Sequence, residues 1–389
     1  MGIKSLPLYA ALAAWCVLTM LVVPSAQGQT FKVVHSFQAT DGAYPYAALI
    51  RDAEGNFYGT TVDGGANSGR GTVFELSKTG QAIVLYTFTG GADGASPYGG
   101  LIRDAMGNLY GTTAFGGNTS CDSRGCGVVF KVSKAGKETV LHTFTGSTDG
   151  AFPYSGVIQD AMGNLYGTTR EGGATHGTVF KVSKTGAETV LYSFTGRPDG
   201  GFPHAGLIQD ARGNLYGTTT LGGAYSSGTV FELNQADQET VLYSFSGAAD
   251  GGEPSAGVIR DAVGNLYGTA LGGVSGNGVV FKLSPSGKET VLYNLKGREG
   301  IDPFGGVIRD ANGNFYGTTL IGGTHRGGTV FKRSPTGRET VLHNFCAQRG
   351  CPDGHELWSG VIRDAKGNLY GTTYFGGANG FGVVFQVTP

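Results

Sequence analysis

Short apolar runs rich in Val, Ile, Leu, Tyr, Phe and Thr alternate along the chain with Gly and Asp. In outline each group of four reads GLIRDA-x-GNLYGTT-xx-GG, a variable stretch, then GTVFKVS-xx-G-x-ETVLYSFTG-xx-DG-xx-P. No window shows a helical period, and the Gly density would penalise a helix at every turn. The pattern predicts four strands per unit: a (GLIRDA), b (NLYGTT), c (GTVFKVS) and d (ETVLYSF).

The unit repeats seven times. A GN(L/F)YGT segment starts at Gly55, Gly107, Gly163, Gly213, Gly264, Gly313 and Gly367, in steps of 52, 56, 50, 51, 49 and 54 residues. Four strands in about 50 residues, repeated in this way, predict an all-β chain folded as a seven-bladed β-propeller. Phase sharpens the expectation. Phe31-Lys32-Val33-Val34-His35-Ser36-Phe37 matches a d strand, whereas the last run, Gly382 to Val387, matches a c strand. The last unit therefore takes its d strand from the N-terminal segment, and the ring closes by pairing its two ends.

Composition bounds the class. Gly and Pro together make up about 22% of the 389 residues, below the roughly 25–30% of low-complexity chains. Charged residues are only 15%, which excludes a highly charged disordered chain and a coiled coil, and the net charge of -1 argues against nucleic acid as a partner. Residues 1–28 carry Lys4, an apolar run from Leu6 to Val23, and small residues before a cut after Gly28. They read as a secretory signal peptide, with an uncleaved anchor as the competing reading. The expected division is thus a leader at 1–28 and a single propeller domain at 29–389, secreted or periplasmic, monomeric and without a further membrane span. Cys16 lies in the leader. Cys121 and Cys126, and Cys346 and Cys351, form two local pairs that read as short disulfide-closed loops in an exported protein.

Positions that recur in all units have structural explanations. Asp52, Asp104, Asp160, Asp210, Asp261, Asp310 and Asp364 stand at the a–b hairpin, where Asp accepts backbone N–H bonds. The crossover from d to the next a carries Asp41, Asp93, Asp149, Asp199, Asp250, Glu299 and Asp353. These read as turn residues; a ring of carboxylates holding calcium is the alternative, and no other cofactor is indicated. His35, His142 and His343 replace the d-strand tyrosines of other units and read as packing residues.

Positions that differ point to function. In a propeller the b–c loops and d–a crossovers share one face, around the mouth of the central channel. The b–c loops vary and include Phe115, Arg170 and Tyr374, and binding residues are commonly borne on loops of a rigid scaffold. Just before strand a stand Tyr46, Tyr98, Tyr154, His204, Ser255, Phe304 and Trp358. Six of these seven are ring side chains that could stack on a sugar or a flat apolar ligand at the mouth, or else pack between adjacent blades. His176 and His325 come from equivalent loops and read as solvated, with a metal pair as the alternative.

The chain carries no G-x-S-x-G elbow, HExxH or phosphate loop, so no catalytic residue is assigned. The repeated DA-x-GNLYGTT-xx-GG and GTVFK-x-S-xx-G-x-ETVLY-x-F segments closely resemble the bacterial GloVer, or choice-of-anchor, tandem-repeat family over essentially residues 30–389. That resemblance implies an exported repeat protein and supplies no catalytic residues. The leading expectation is a binding module for an extracellular glycan, small molecule or protein through the b–c face. The alternative is a hydrolase or lyase of the lactonase or streptogramin-lyase kind, with a divalent metal in the channel.

Overall fold

The structure, a computed structural model, describes residue 2, residues 29–66 and residues 69–389. The leader expected at 1–28 lies outside the described residues apart from Gly2. Seven four-stranded antiparallel sheets form the blades of a propeller. In blade 1 the strands are Ile50–Arg51 (a), Phe57–Thr61 (b), Thr72–Leu76 (c) and Ala82–Thr87 (d). Blade 7 combines Ile362–Arg363, Leu369–Thr373 and Val383–Thr388 with Thr30–Ser36, so the ring closes as the phase of the repeats requires. Strand a is shorter than the GLIRDA pattern suggests. It pairs over two or three residues because its start lines the crowded axis and its end enters the Asp turn. No helix among the described residues is long and apolar enough to cross a membrane.

The core lies between blades. Phe88, immediately after strand d in blade 1, meets Phe130 of strand c in blade 2 edge-on at 5.0 Å, and both are fully buried. Five further interfaces repeat the pair, from Phe37–Phe74 round to Phe345–Phe385, and Leu295 stands in for the first Phe before blade 6. The glycine of YGT makes room for this ring: a Cβ on Gly111 would sit 2.7 Å from the tip of Phe130. Apolar burial at about 25 cal/mol per Å² is thus spent mainly on holding each blade to the next.

A threonine strengthens each interface. The first Thr of strand b donates to a backbone carbonyl of the following blade, as in Thr112 Oγ1 to Ser155 O at 2.6 Å, and the same link occurs from Thr60, Thr168, Thr218, Thr269, Thr318 and Thr372. Thr112→Val keeps the shape and leaves a buried carbonyl without its donor. We expect it to cost about 1–2 kcal/mol, read as a lowered urea midpoint with an unchanged slope.

Both acid series are absorbed by turns. Asp104 accepts from the Asn108 backbone N–H at 2.8 Å, the Asn108 side chain at 2.7 Å and Tyr110 Oη at 3.0 Å. Burial opposes ionisation there, but these hydrogen bonds outweigh it and hold the carboxyl below its usual range. The crossover acids bind the d-strand ring that precedes them: Tyr86 to Asp93 at 3.0 Å, Tyr192 to Asp199 at 2.8 Å, His35 to Asp41 at 3.0 Å and His343 to Asp353 at 2.9 Å. The histidines therefore pair with acids as well as packing.

Candidate functional site

The b–c loops and d–a crossovers do share a face, joined by bridges such as Ala43–Asp63 and His355–Phe375. Both disulfides, Cys121–Cys126 and Cys346–Cys351, staple this face, one in the b–c loop of blade 2 and one in the crossover into blade 7. Each blade's approach to strand a is a tripeptide: YPY, SPY, FPY, FPH, EPS, DPF and ELW. Its first residue is never Gly, yet in all seven it adopts a left-handed backbone, from 48° at Glu253 to 63° at Tyr44. That costs about 1 kcal/mol or more each and turns the third residue toward the axis.

The third residues meet over the channel. Tyr46 lies against Tyr98 at 5.0 Å, Trp358 at 5.3 Å and His204 at 6.4 Å between ring centroids. Tyr98 contacts Tyr154 at 5.0 Å, Tyr154 stacks on His204 at 5.2 Å and Phe304 meets Trp358 at 4.9 Å. The rings thus form a plate across the mouth, with Tyr46 at its centre. Each is half-buried. They pack on one another rather than as wedges between neighbouring blades, a choice the sequence left open.

The other expected residues fall around the plate. Tyr374 touches Tyr46 at 6.2 Å and stacks on Tyr44 at 5.1 Å. Phe115 is buried behind Tyr98 and Tyr154 with the Arg124 guanidinium 4.2 Å from its ring. Arg170 stands over Tyr154 at 5.6 Å. His176 packs edge-on against Phe202, and His325 is exposed on its loop. Beneath the plate Ala48, Gly99, Gly156, Ala205, Gly257 and Gly305 line a narrow collar, the whole bowl enclosing about 220 Å³. The collar depends on glycine, since a Cβ on Gly156 would run into the carbonyl of Gly100.

Two features escaped the sequence reading. The first is a low rim at blade 5. Six b–c loops donate a backbone N–H to the first tripeptide residue, as Arg170 N does to Phe152 O at 3.1 Å. The blade 5 loop lacks one residue between strand b and its GG pair, Ala270-Leu271-Gly272-Gly273 against Thr169-Arg170-Glu171-Gly172-Gly173 in blade 3, and Ser255 Oγ bonds the Glu253 carbonyl at 3.1 Å in place of the missing N–H. The 49-residue repeat step, the shortest, is the signal that could have revealed it. The second is a division among tyrosines. All seven strand-b hydroxyls and the four of strand d bond a carboxylate. Among the described residues the hydroxyls of Tyr44, Tyr46, Tyr98, Tyr154, Tyr374 and Tyr225 make no such bond; the first five surround the mouth, and Tyr225 is an exposed residue of the blade 4 b–c loop.

Electrostatics favour neutral rings. Burial pushes the Tyr46 hydroxyl well above its usual range, and burial with Tyr374 and Tyr154 lifts Tyr98 to about 12. Burial, aided by Arg170, lowers His204 to about 4, so it is an uncharged stacking ring at neutral pH. No group of three or more His, Cys, Asp or Glu placed to hold a metal occurs among the described residues.

The sequence model of the Gloeobacter/Verrucomicrobia repeat matches residues 21–176, 158–354 and 269–389. No curated protein matches the chain. Among solved structures, a catalytically inactive virginiamycin B lyase from Staphylococcus aureus with quinupristin superposes with a TM-score of 0.61 at 11% identity, over 93% of this chain and 99% of that one. A puromycin hydrolase mutant complexed with PGG gives 0.53 at 12% identity, over 87% and 52%. The extracellular domain of a putative one-component system from B. thetaiotaomicron gives 0.51 at 12%, over 88% and 38%. At these identities the likeness is one of fold.

Proposed function

Because the chain belongs to the Gloeobacter/Verrucomicrobia repeat family, we propose that its near-identical units are the scaffold and their differences at the b–c face the site: an exported binding module that takes an extracellular saccharide on the aromatic plate. The observation that carries this reading is the pairing of half-exposed rings with unbonded hydroxyls at one place. Ring faces accept the C–H surface of a sugar, and tyrosine hydroxyls combine an apolar body with a polar tip for its O–H groups. In the strands, by contrast, the described tyrosine hydroxyls are committed to carboxylates. The low rim at blade 5 gives a longer chain an outlet, and the disulfides fit an oxidising compartment.

The test is calorimetric titration of the purified chain with oligosaccharides from bacterial and plant cell walls. A saturable heat is expected, weakened at least tenfold by Trp358→Ala, because Trp358 stacks on the central Tyr46 and supports Phe304. Absence of binding to every saccharide would remove the reading. A response that instead requires a divalent metal and consumes a ligand would favour the hydrolase or lyase alternative.

A further inference from the structure

Two arginines reach the plate, and they differ in what they hold. Arg124 is engaged by Asp122 through Nε at 3.2 Å and Nη2 at 2.9 Å. Arg170 makes no side-chain hydrogen bond among the described residues. The nearest acidic oxygen, on Glu171, is 3.9 Å away, and both side chains are more than 40% exposed. Yet the Arg170 guanidinium lies over Tyr154, and its charge is felt at Tyr46 and His204. A planar fork of donors thus stands over Tyr154 and within electrostatic reach of Tyr46, two tyrosines with unbonded hydroxyls, with its hydrogen-bonding capacity unspent.

We infer, resting on the saccharide reading above, that Arg170 makes the plate selective for sugars bearing a carboxylate, that is, for uronic-acid residues. The geometry assigns each part of such a ligand a partner. The pyranose C–H face lies on the aromatic rings, its hydroxyls reach the tyrosine hydroxyls, and its carboxylate meets Arg170, whose fork suits two-point recognition of that group. His204 accommodates the same ligand because it is uncharged and leaves the cation at blade 3 without a competitor for the carboxylate. A neutral sugar would use the rings and hydroxyls alone.

Calorimetry with trigalacturonate and with a neutral galactose trimer separates the cases. The chain is expected to bind the acidic trimer about tenfold more tightly, the preference should shrink as salt is raised, and Arg170→Gln should bring the two affinities within about twofold. Trp358→Ala should weaken both trimers. Equal affinities in the unsubstituted chain, or a preference that survives Arg170→Gln, would overturn the assignment while leaving a saccharide site in place. Failure of both trimers and of all other saccharides to bind would overturn the saccharide reading and this inference together.

Discussion

Removal of residues 30–37 is expected to abolish cooperative folding. This segment supplies the outer strand of blade 7, paired with Val383–Thr388 from Thr30–Thr388 to Ser36–Val383. It also serves both neighbouring interfaces. Phe31 packs on Phe345 and Phe385 toward blade 6, and Phe37, fully buried, packs on Phe74 toward blade 1. Loss of one buried Phe costs about 3–5 kcal/mol, and a typical domain has only about 5–15 kcal/mol to lose. The deletion removes the buried Phe37 and the half-buried Phe31 and turns Val383–Thr388 into an open edge able to pair with another copy. Circular dichroism should show no sharp thermal transition, and light scattering should show association. A monomer melting within a few degrees of the full chain would show that the ring does not depend on its closure.

The architecture was legible because every unit repeats its punctuation: one DA-x-GN hairpin establishes a strand pair, and seven establish a ring. The plate was legible in part for the same reason, since Tyr46 and Trp358 occupy one repeat position. What the sequence could not convey is which of six near-equivalent rings crosses the axis. Tyr46 does so because its neighbours, Trp358 on one side and Tyr98 on the other, lean against it. Contacts between units are hidden for a related reason. Glu138 starts a strand, and the acid that faces it, Asp93, belongs to the previous blade. Phe31 and Ala82 occupy the same strand position as Glu138, opposite Val387 and Leu76 where Glu138 stands opposite Val132. Only the folded interface explains the exchange, since Phe31 stacks on His343 at 3.8 Å.

Those interfacial glutamates make the protein's stability depend on pH. Glu138, Glu188, Glu239, Glu289 and Glu339 each begin a d strand, have a buried Oε1 without a hydrogen-bond partner, and are raised to about 7. Burial is the main cause, and a crossover acid of the preceding blade, Asp93, Asp149, Asp199, Asp250 or Glu299, adds to it. In the unfolded chain these groups ionise near 4.5, so between 4.5 and 7 the folded state binds more protons. Their contribution to stability is complete below 4.5 and is lost as pH rises to 7. The hairpin aspartates act oppositely, stabilising above their ordinary 3.8 and failing as pH falls below it. Burial lowers His142 and His204, which also favour the fold at higher pH, so wild-type curves mix both signs. Replacing all five glutamates with Gln isolates the effect, because the histidines cancel in the difference. Discounted for partial solvent exposure, each ionised Glu costs about 1 kcal/mol, and the five lie at separate interfaces where effects add. The variant should therefore match the parent near pH 4.5 and exceed it by about 5 kcal/mol at pH 8, measured by urea denaturation at each pH. An equal difference at both pH values would place the effect in packing, not in ionisation, because only a proton bound at the interface in the folded state can make the gain appear between 4.5 and 7.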